Sequence, residues 1–301
     1  MARIDQQQNP SSIVNARSTR SNPGNMVTDS VTVDSLQSVA RQVRRNIVRM
    51  LSKSQSGHPG GSLSAVELLV SLYFSILRHK PENPEWPDRD RFILSKGHAT
   101  PVLYSILAEA GYFPREELLT FRQLGSRLQG HVDRDSTPGV EMSGGSLGMG
   151  LSFGLGVALA ARLDEKDFNV FVMMGDGECE EGQVWEAAMA AAHFNLNRVT
   201  AVIDHNKIQN DGYVKDIMNV APLAPKWEAF GWHTIEIDGH RFEEVLNAYH
   251  EAMKVQDRPS VIIAHTVKGK NISFMENNPD YHGKAPTIEQ ADQAIREIDE
   301  S

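Results

Sequence analysis

Two short runs, residues 169–174 (Asn-Val-Phe-Val-Met-Met) and 199–203 (Val-Thr-Ala-Val-Ile), are apolar without alternation, and each gives way abruptly to oxygen-bearing side chains. A strand wet on one face alternates polar and apolar residues, whereas an unbroken apolar run needs cover on both faces, as in a parallel sheet clad in helices. Between the runs, residues 183–194 are Ala-rich and helically spaced, which makes the whole a strand–helix–strand unit. Its crossover is expected to be right-handed, with both strand ends on one edge. Residues 260–265 and the shorter Arg91-Phe92-Ile93-Leu94-Ser95 repeat the pattern. The expected fold class is α/β: a doubly wound, mostly parallel sheet with helices on both faces.

Helical spacing begins near Val33 and continues through Leu36, Val39, Val43, Ile47 and Met50. A second helix is expected to open with Ser64 and Glu67 as a capping box and to run to Ile76, and another to pass through Val102, Leu103, Ile106 and Leu107. Residues 147–163 are apolar but crowded with Gly148, Gly150, Gly154 and Gly156, and shorter than the roughly twenty residues a bilayer requires. They read as a buried helix with close neighbours. Arg41, Arg44, Arg45 and Arg49 read as a solvated helix face. Residues 1–30, rich in Gln, Asn, Ser and Pro, read as a disordered arm, and residues 31–301 as one domain. A net charge of −9 argues against nucleic acid as a partner, and nothing calls for a membrane. The single cysteine, Cys179, precludes an internal disulfide, so a reducing, cytoplasmic setting is expected.

The first apolar run ends in Gly175-Asp176-Gly177. Asp-Gly is normally a hairpin turn, but helical spacing follows, which makes this a strand-to-helix junction, where open α/β sheets bind ligands. Gly177 lets the backbone approach a phosphate, and the helix beyond points its N–H groups outward. The second run ends in Asp204-His205-Asn206-Lys207. If the strands are neighbours, the Asp176 carboxylate and the Asn206 amide oxygen share one edge. Alone, Asn206 has the helix cap as its lesser reading. Together they are hard ligands that diphosphate oxygens, a backbone carbonyl and water complete into an octahedral site for Mg²⁺, or for Ca²⁺ or Mn²⁺.

Gly175-Asp176-Gly177 with Glu181-Gly182-Gln183 and Asn206 resembles the thiamine-diphosphate motif of the transketolase family. So do Ser56-Gly57-His58-Pro59-Gly60, Leu94-Ser95-Lys96-Gly97-His98, Gly145-Ser146-Leu147-Gly148, and Lys268-Gly269 with Tyr281-His282-Gly283, all in family order over about residues 35–286. The resemblance implies that the carbonyl of Ile208 joins Asp176 and Asn206 on the cation. It further implies that Gly177 meets the diphosphate with His98 and His282 close by, that Lys268 steers the phosphates, and that Gly145, Ser146 and Leu147 line the pyrimidine end. His58, His131 and His282 would face the sugar and pass protons, work that suits a side chain titrating near neutrality. Glu181 would lie near a dimer axis; a plain helix-start glutamate fits it equally well. His193, His205 and His250 gain no such support, and Cys179 is assigned no role.

Full-length transketolases continue into a pyrimidine-binding domain that supplies a glutamate to the aminopyrimidine ring. The resemblance therefore implies an amino-terminal subunit of a split transketolase, active only with a carboxyl-terminal partner in a two-fold heterotetramer. The reaction implied is transfer of a two-carbon ketol unit from a ketose phosphate to an aldose phosphate. Three other readings stay open: a deoxyxylulose-phosphate synthase-like chain, a 2-oxo-acid dehydrogenase α-like chain, and a non-catalytic relic of the fold. The segments around His58 and His131 fit transketolase better than the dehydrogenase.

Overall fold

A computed structural model describes residues 32–300; the expected amino-terminal arm and its boundary lie outside the described residues. The helices and strands run α1 (Val33–Ser54), α2 (Pro59–Leu63), α3 (Val66–Ser71), β1 (Arg91–Leu94), α4 (Thr100–Ala110), α5 (Met149–Leu163), β2 (Val170–Gly175), α6 (Gly182–His193) and β3 (Val199–His205). They continue with β4 (Ile208–Gln209), β5 (Gly212–Tyr213), α7 (Val214–Ile217), α8 (Leu223–Ala229), β6 (His233–Asp238), α9 (Phe242–Lys254), β7 (Ser260–His265) and α10 (Ile288–Glu300).

Strands β1-β2-β3-β7-β6, in that spatial order, form one sheet in which every neighbouring pair is parallel. All five carboxyl ends therefore share an edge. The missing alternation has its expected cause. Along β2, Phe171 and Met173 pack into a core with α1, α3, α4 and α9, while Val170, Val172 and Met174 pack on the opposite face with α5, α6 and α8. Helix α1 starts where the spacing placed it, with Thr32 Oγ1 accepting from the Ser35 N–H at 3.2 Å.

Three expectations are corrected. There is no capping box at Ser64: α3 follows Ala65 without a side-chain cap, Ser64 Oγ donates to Asp204 Oδ2 at 2.7 Å, and Glu67 accepts from Arg44 Nη2 at 2.6 Å. Both side chains are drawn to buried partners, a stronger demand than an open helix end. Arg44 consequently leaves the solvated face and is buried, whereas Arg49 stays exposed. Helix α5 is buried on one side only, with Met149 (44%), Phe153 (38%) and Leu163 (85%) open to solvent. Among the described residues, no helix is long and apolar enough to cross a membrane.

Candidate functional site

Register across β2 and β3 builds the site. Gly175 lies opposite Asp204, so the residues just beyond these positions meet at the carboxyl edge. Asp176 turns back over β3, its carboxylate accepting from the Gly177 N–H at 3.0 Å and the Lys207 N–H at 2.7 Å. Asn206 donates through Nδ2 to Asp204 Oδ2 at 2.9 Å, and its Oδ1 accepts from the Ile208 N–H at 3.2 Å. The carbonyl of Ile208 accepts from Lys268 Nζ at 2.6 Å. A cleft of about 260 Å³ opens on this edge, and Asp176, Gly177, Glu181, Asn206, Ile208 and Lys268 line it together with His98, Leu147 and His282.

Burial makes charge costly on two groups that line the cleft. Burial, followed by the nearby Asp204 carboxylate, pushes the Asp176 carboxyl up to about 6, and its hydrogen-bond partners are backbone amides, with no cation among them. Burial, followed by Lys96, pulls the Lys268 ammonium down to about 7. Asp176 and Lys268 offset these burial effects in part by acting on each other. Among the described residues, no group of three or more His, Cys, Asp or Glu could hold a metal by itself.

Four histidines converge beside the cleft. The His58 ring centroid is 5.1 Å from His98, 5.5 Å from His282 and 6.2 Å from His131, and His98 and His282 are 5.1 Å apart. The three proposed from sequence to face sugar thus share one cluster, although they are spread from the end of α1 to the loop before α10. Burial is the leading cause that lowers His58 to about 4, His282 to about 3, and His98 well below its usual range. All are uncharged near neutrality and can accept a proton.

The loop 145–147 brings Leu147 to the cleft and leaves Gly145 and Ser146 exposed; a Cβ on Gly145 would lie 3.8 Å from the His131 ring. Among the lining residues that were not singled out from sequence, Lys96 and Glu178 are the most heavily bonded. Lys96 donates to the Gly61 carbonyl at 2.7 Å and to Asp204, and Glu178 accepts from the Gly148 N–H at 2.9 Å, the Gly175 N–H at 3.1 Å and Ser95 Oγ. Lys96 had a signal, being a lysine directly after a buried strand. Cys179 is buried, its thiol pushed well up by burial.

Residues 35–298 match the family model described as transketolase, thiamine diphosphate binding domain. The chain belongs to the transketolase family. It is 44% identical over 264 residues to a 6-deoxy-6-sulfo-D-fructose transketolase subunit of Clostridium sp. (strain MSTE9), covering 88% of this chain and 96% of that protein. It is 38% identical to an apulose-4-phosphate transketolase subunit of Phocaeicola vulgatus, over 89% of this chain and 95% of the other. Against the Campylobacter jejuni transketolase structure the TM-score is 0.85 at 34% identity, covering 89% of this chain and 43% of that one. The chain thus matches proteins named as transketolase subunits over nearly their whole length and the Campylobacter jejuni transketolase over less than half of its length. As a family member it carries the thiamine-diphosphate-binding α/β fold.

Proposed function

We propose that this chain is the amino-terminal subunit of a two-chain transketolase, which moves a two-carbon ketol unit from a ketose phosphate to an aldose phosphate using thiamine diphosphate and a divalent cation. One observation carries the reading. The buried Asp176 carboxylate, which accepts hydrogen bonds from backbone amides alone, and the buried Lys268 ammonium face the same cleft beside the Asn206 amide oxygen and the Ile208 carbonyl. A diphosphate that brings its own Mg²⁺ balances both, and Mg²⁺ commonly bridges phosphates in this way. Asp176, Asn206 and the Ile208 carbonyl would hold the cation, and Gly177 and Lys268 the diphosphate, with His98 alongside.

When bound, thiamine diphosphate supplies the carbanion chemistry, and the protein supplies orientation and proton management. His58, His131 and His282 would do that work. At the low basicity burial imposes, neutral imidazoles both donate to and accept from sugar hydroxyls and take up a proton only briefly. Leu147 would lie toward the pyrimidine end and Glu181 near the dimer axis, where a partner chain would close the site. Two relatives are named for anionic sugars, a sulfonate and a phosphate, which supports an anionic sugar here.

The test is a ketol-transfer assay with thiamine diphosphate and Mg²⁺ on this chain alone, on a candidate partner carrying the pyrimidine-binding domain, and on both. Turnover only in the mixture is expected. Turnover by this chain alone would defeat the two-chain reading, and none in any mixture despite cofactor binding would defeat the assigned reaction.

A further inference from the structure

Resting on that reading of Asp176 and Asn206, we infer that Asp204 is the positioning residue that aims the Asn206 amide oxygen at the cation and thereby sets cation affinity. A side-chain amide has nearly the same shape either way round, so its partners decide which end faces where. Asn206 presents Nδ2 to Asp204 Oδ2 at 2.9 Å. An ionised carboxylate only accepts hydrogen bonds, so the edge of the amide that meets it has to be the NH₂. Oδ1 is thereby turned toward the Ile208 N–H at 3.2 Å and keeps a second lone pair for a metal.

Asp204 is built to hold that orientation. It is fully buried, at 0% exposure, and its carboxylate takes donors from four parts of the chain. Ser64 Oγ, between α2 and α3, donates to Oδ2 at 2.7 Å; Asn206 Nδ2 and Lys96 Nζ, the latter just past β1, donate to the same oxygen, and Thr266 Oγ1, just past β7, donates to Oδ1. With contacts on both oxygens the carboxylate is not free to rotate, and Lys96 supplies the countercharge a buried carboxylate needs. Direct ligation by Asp204 is the rival role. Its oxygens are already engaged by these donors, and it is absent from the cleft lining where Asp176 and Asn206 appear. Partners that orient metal ligands in this way are typically worth about 10- to 100-fold in affinity.

The experiment measures Mn²⁺ binding in the presence of thiamine diphosphate, by the electron paramagnetic resonance signal of free Mn²⁺, on the full chain and its variants. In D204L the Asn206 NH₂ loses its acceptor, so nothing holds the amide with its oxygen toward the cation. Affinity is expected to fall about 10- to 100-fold, approaching the loss in N206A, while T266V, which removes a donor and leaves the carboxylate facing Asn206, keeps affinity within about 2-fold. If D204L does not fold, D204L/K96M replaces the ion pair with apolar groups of similar size and is compared with K96M, the same gap being expected. Wild-type affinity in D204L alongside a weakened N206A, or a loss in T266V as large as in D204L, overturns the inference and leaves the cation site standing. An N206A chain that binds Mn²⁺ as tightly as wild type removes the cation site itself, and this inference with it.

Discussion

Lys268 Nζ donates to the carbonyl of Ile208 at 2.6 Å and stands 2.7 Å from His282 Nδ1, so one ammonium ties the end of the sheet to the histidine cluster. Burial makes its charge expensive, and a diphosphate would repay that cost. Lys268→Met is therefore expected to weaken thiamine diphosphate binding about 10- to 100-fold, the worth of a hydrogen bond to a charged group. The thermal midpoint of the ligand-free chain is expected to hold or rise. Calorimetry and a melting curve check the pair; a fall in both would make Lys268 a structural residue.

Acid should unfold the chain partly through His58. Burial first, then Arg122, hold its imidazole at about 4 against 6.5 in an ordinary setting. Between those values the unfolded chain binds a proton that the folded chain refuses, so stability is lost as pH falls from 6.5 toward 4. Urea midpoints at pH 7, 5.5 and 4.5 are expected to decline, and His58→Gln to flatten the decline by on the order of 1–2 kcal/mol after allowance for solvent screening. An unchanged slope would show that His58 is protonated as easily folded as unfolded.

Glu67 is the centre of a second buried network, accepting from Arg44 at 2.6 Å and from His240 at 3.0 Å. Burial alone would raise its carboxyl, but Arg44 and then His240 outweigh burial and hold it low. Glu67→Ala leaves Arg44 buried without its carboxylate and is expected to cost about 3–5 kcal/mol. A double replacement, Glu67→Leu with Arg44→Met, is expected to recover most of the loss in urea denaturation. Failure to recover would point to packing and not charge.

Gly60 is small because Lys268 passes over it. A Cβ there would lie 2.9 Å from both Lys268 Cγ and the Tyr281 carbonyl oxygen. The lysine can shift but the backbone cannot, so Gly60→Ala is expected to push Nζ away from Ile208 and lower thiamine diphosphate affinity about tenfold, the low end for such a bond. Unchanged affinity with a lowered melting point would place the strain in the 279–281 turn.

The sheet was legible from residues 169–174, 199–203 and 260–265 because cover on both faces leaves no room for polar side chains, and all three are strands in the structure. Strand β6 was not singled out. It lies at the sheet edge, and its exposure alternates along Ile235, Glu236, Ile237 and Asp238, so it lacks the run that marks a central strand. The site was legible where chemistry sat at a strand end, as at Asp176, and in short family segments, as at His58. Asp204 and Glu178 were passed over because their importance lies in the donors that converge on them, Ser64 and Thr266 or Gly148 and Ser95, which are remote in sequence. Ser64 shows the converse: a spacing that reads as a helix cap was recruited by a carboxylate 140 positions away.

Because every strand points the same way, the edge that gathers His58, Asp176, Asn206 and His282 exists only once the crossovers have all closed. A ligand that recognises the finished edge acts as a clamp on the whole polypeptide: by mass action it raises the unfolding free energy by about 2.7 kcal/mol at a hundredfold excess over its dissociation constant. Vitamin-derived cofactor supply would then govern how long the protein survives in the cell as well as how fast it works.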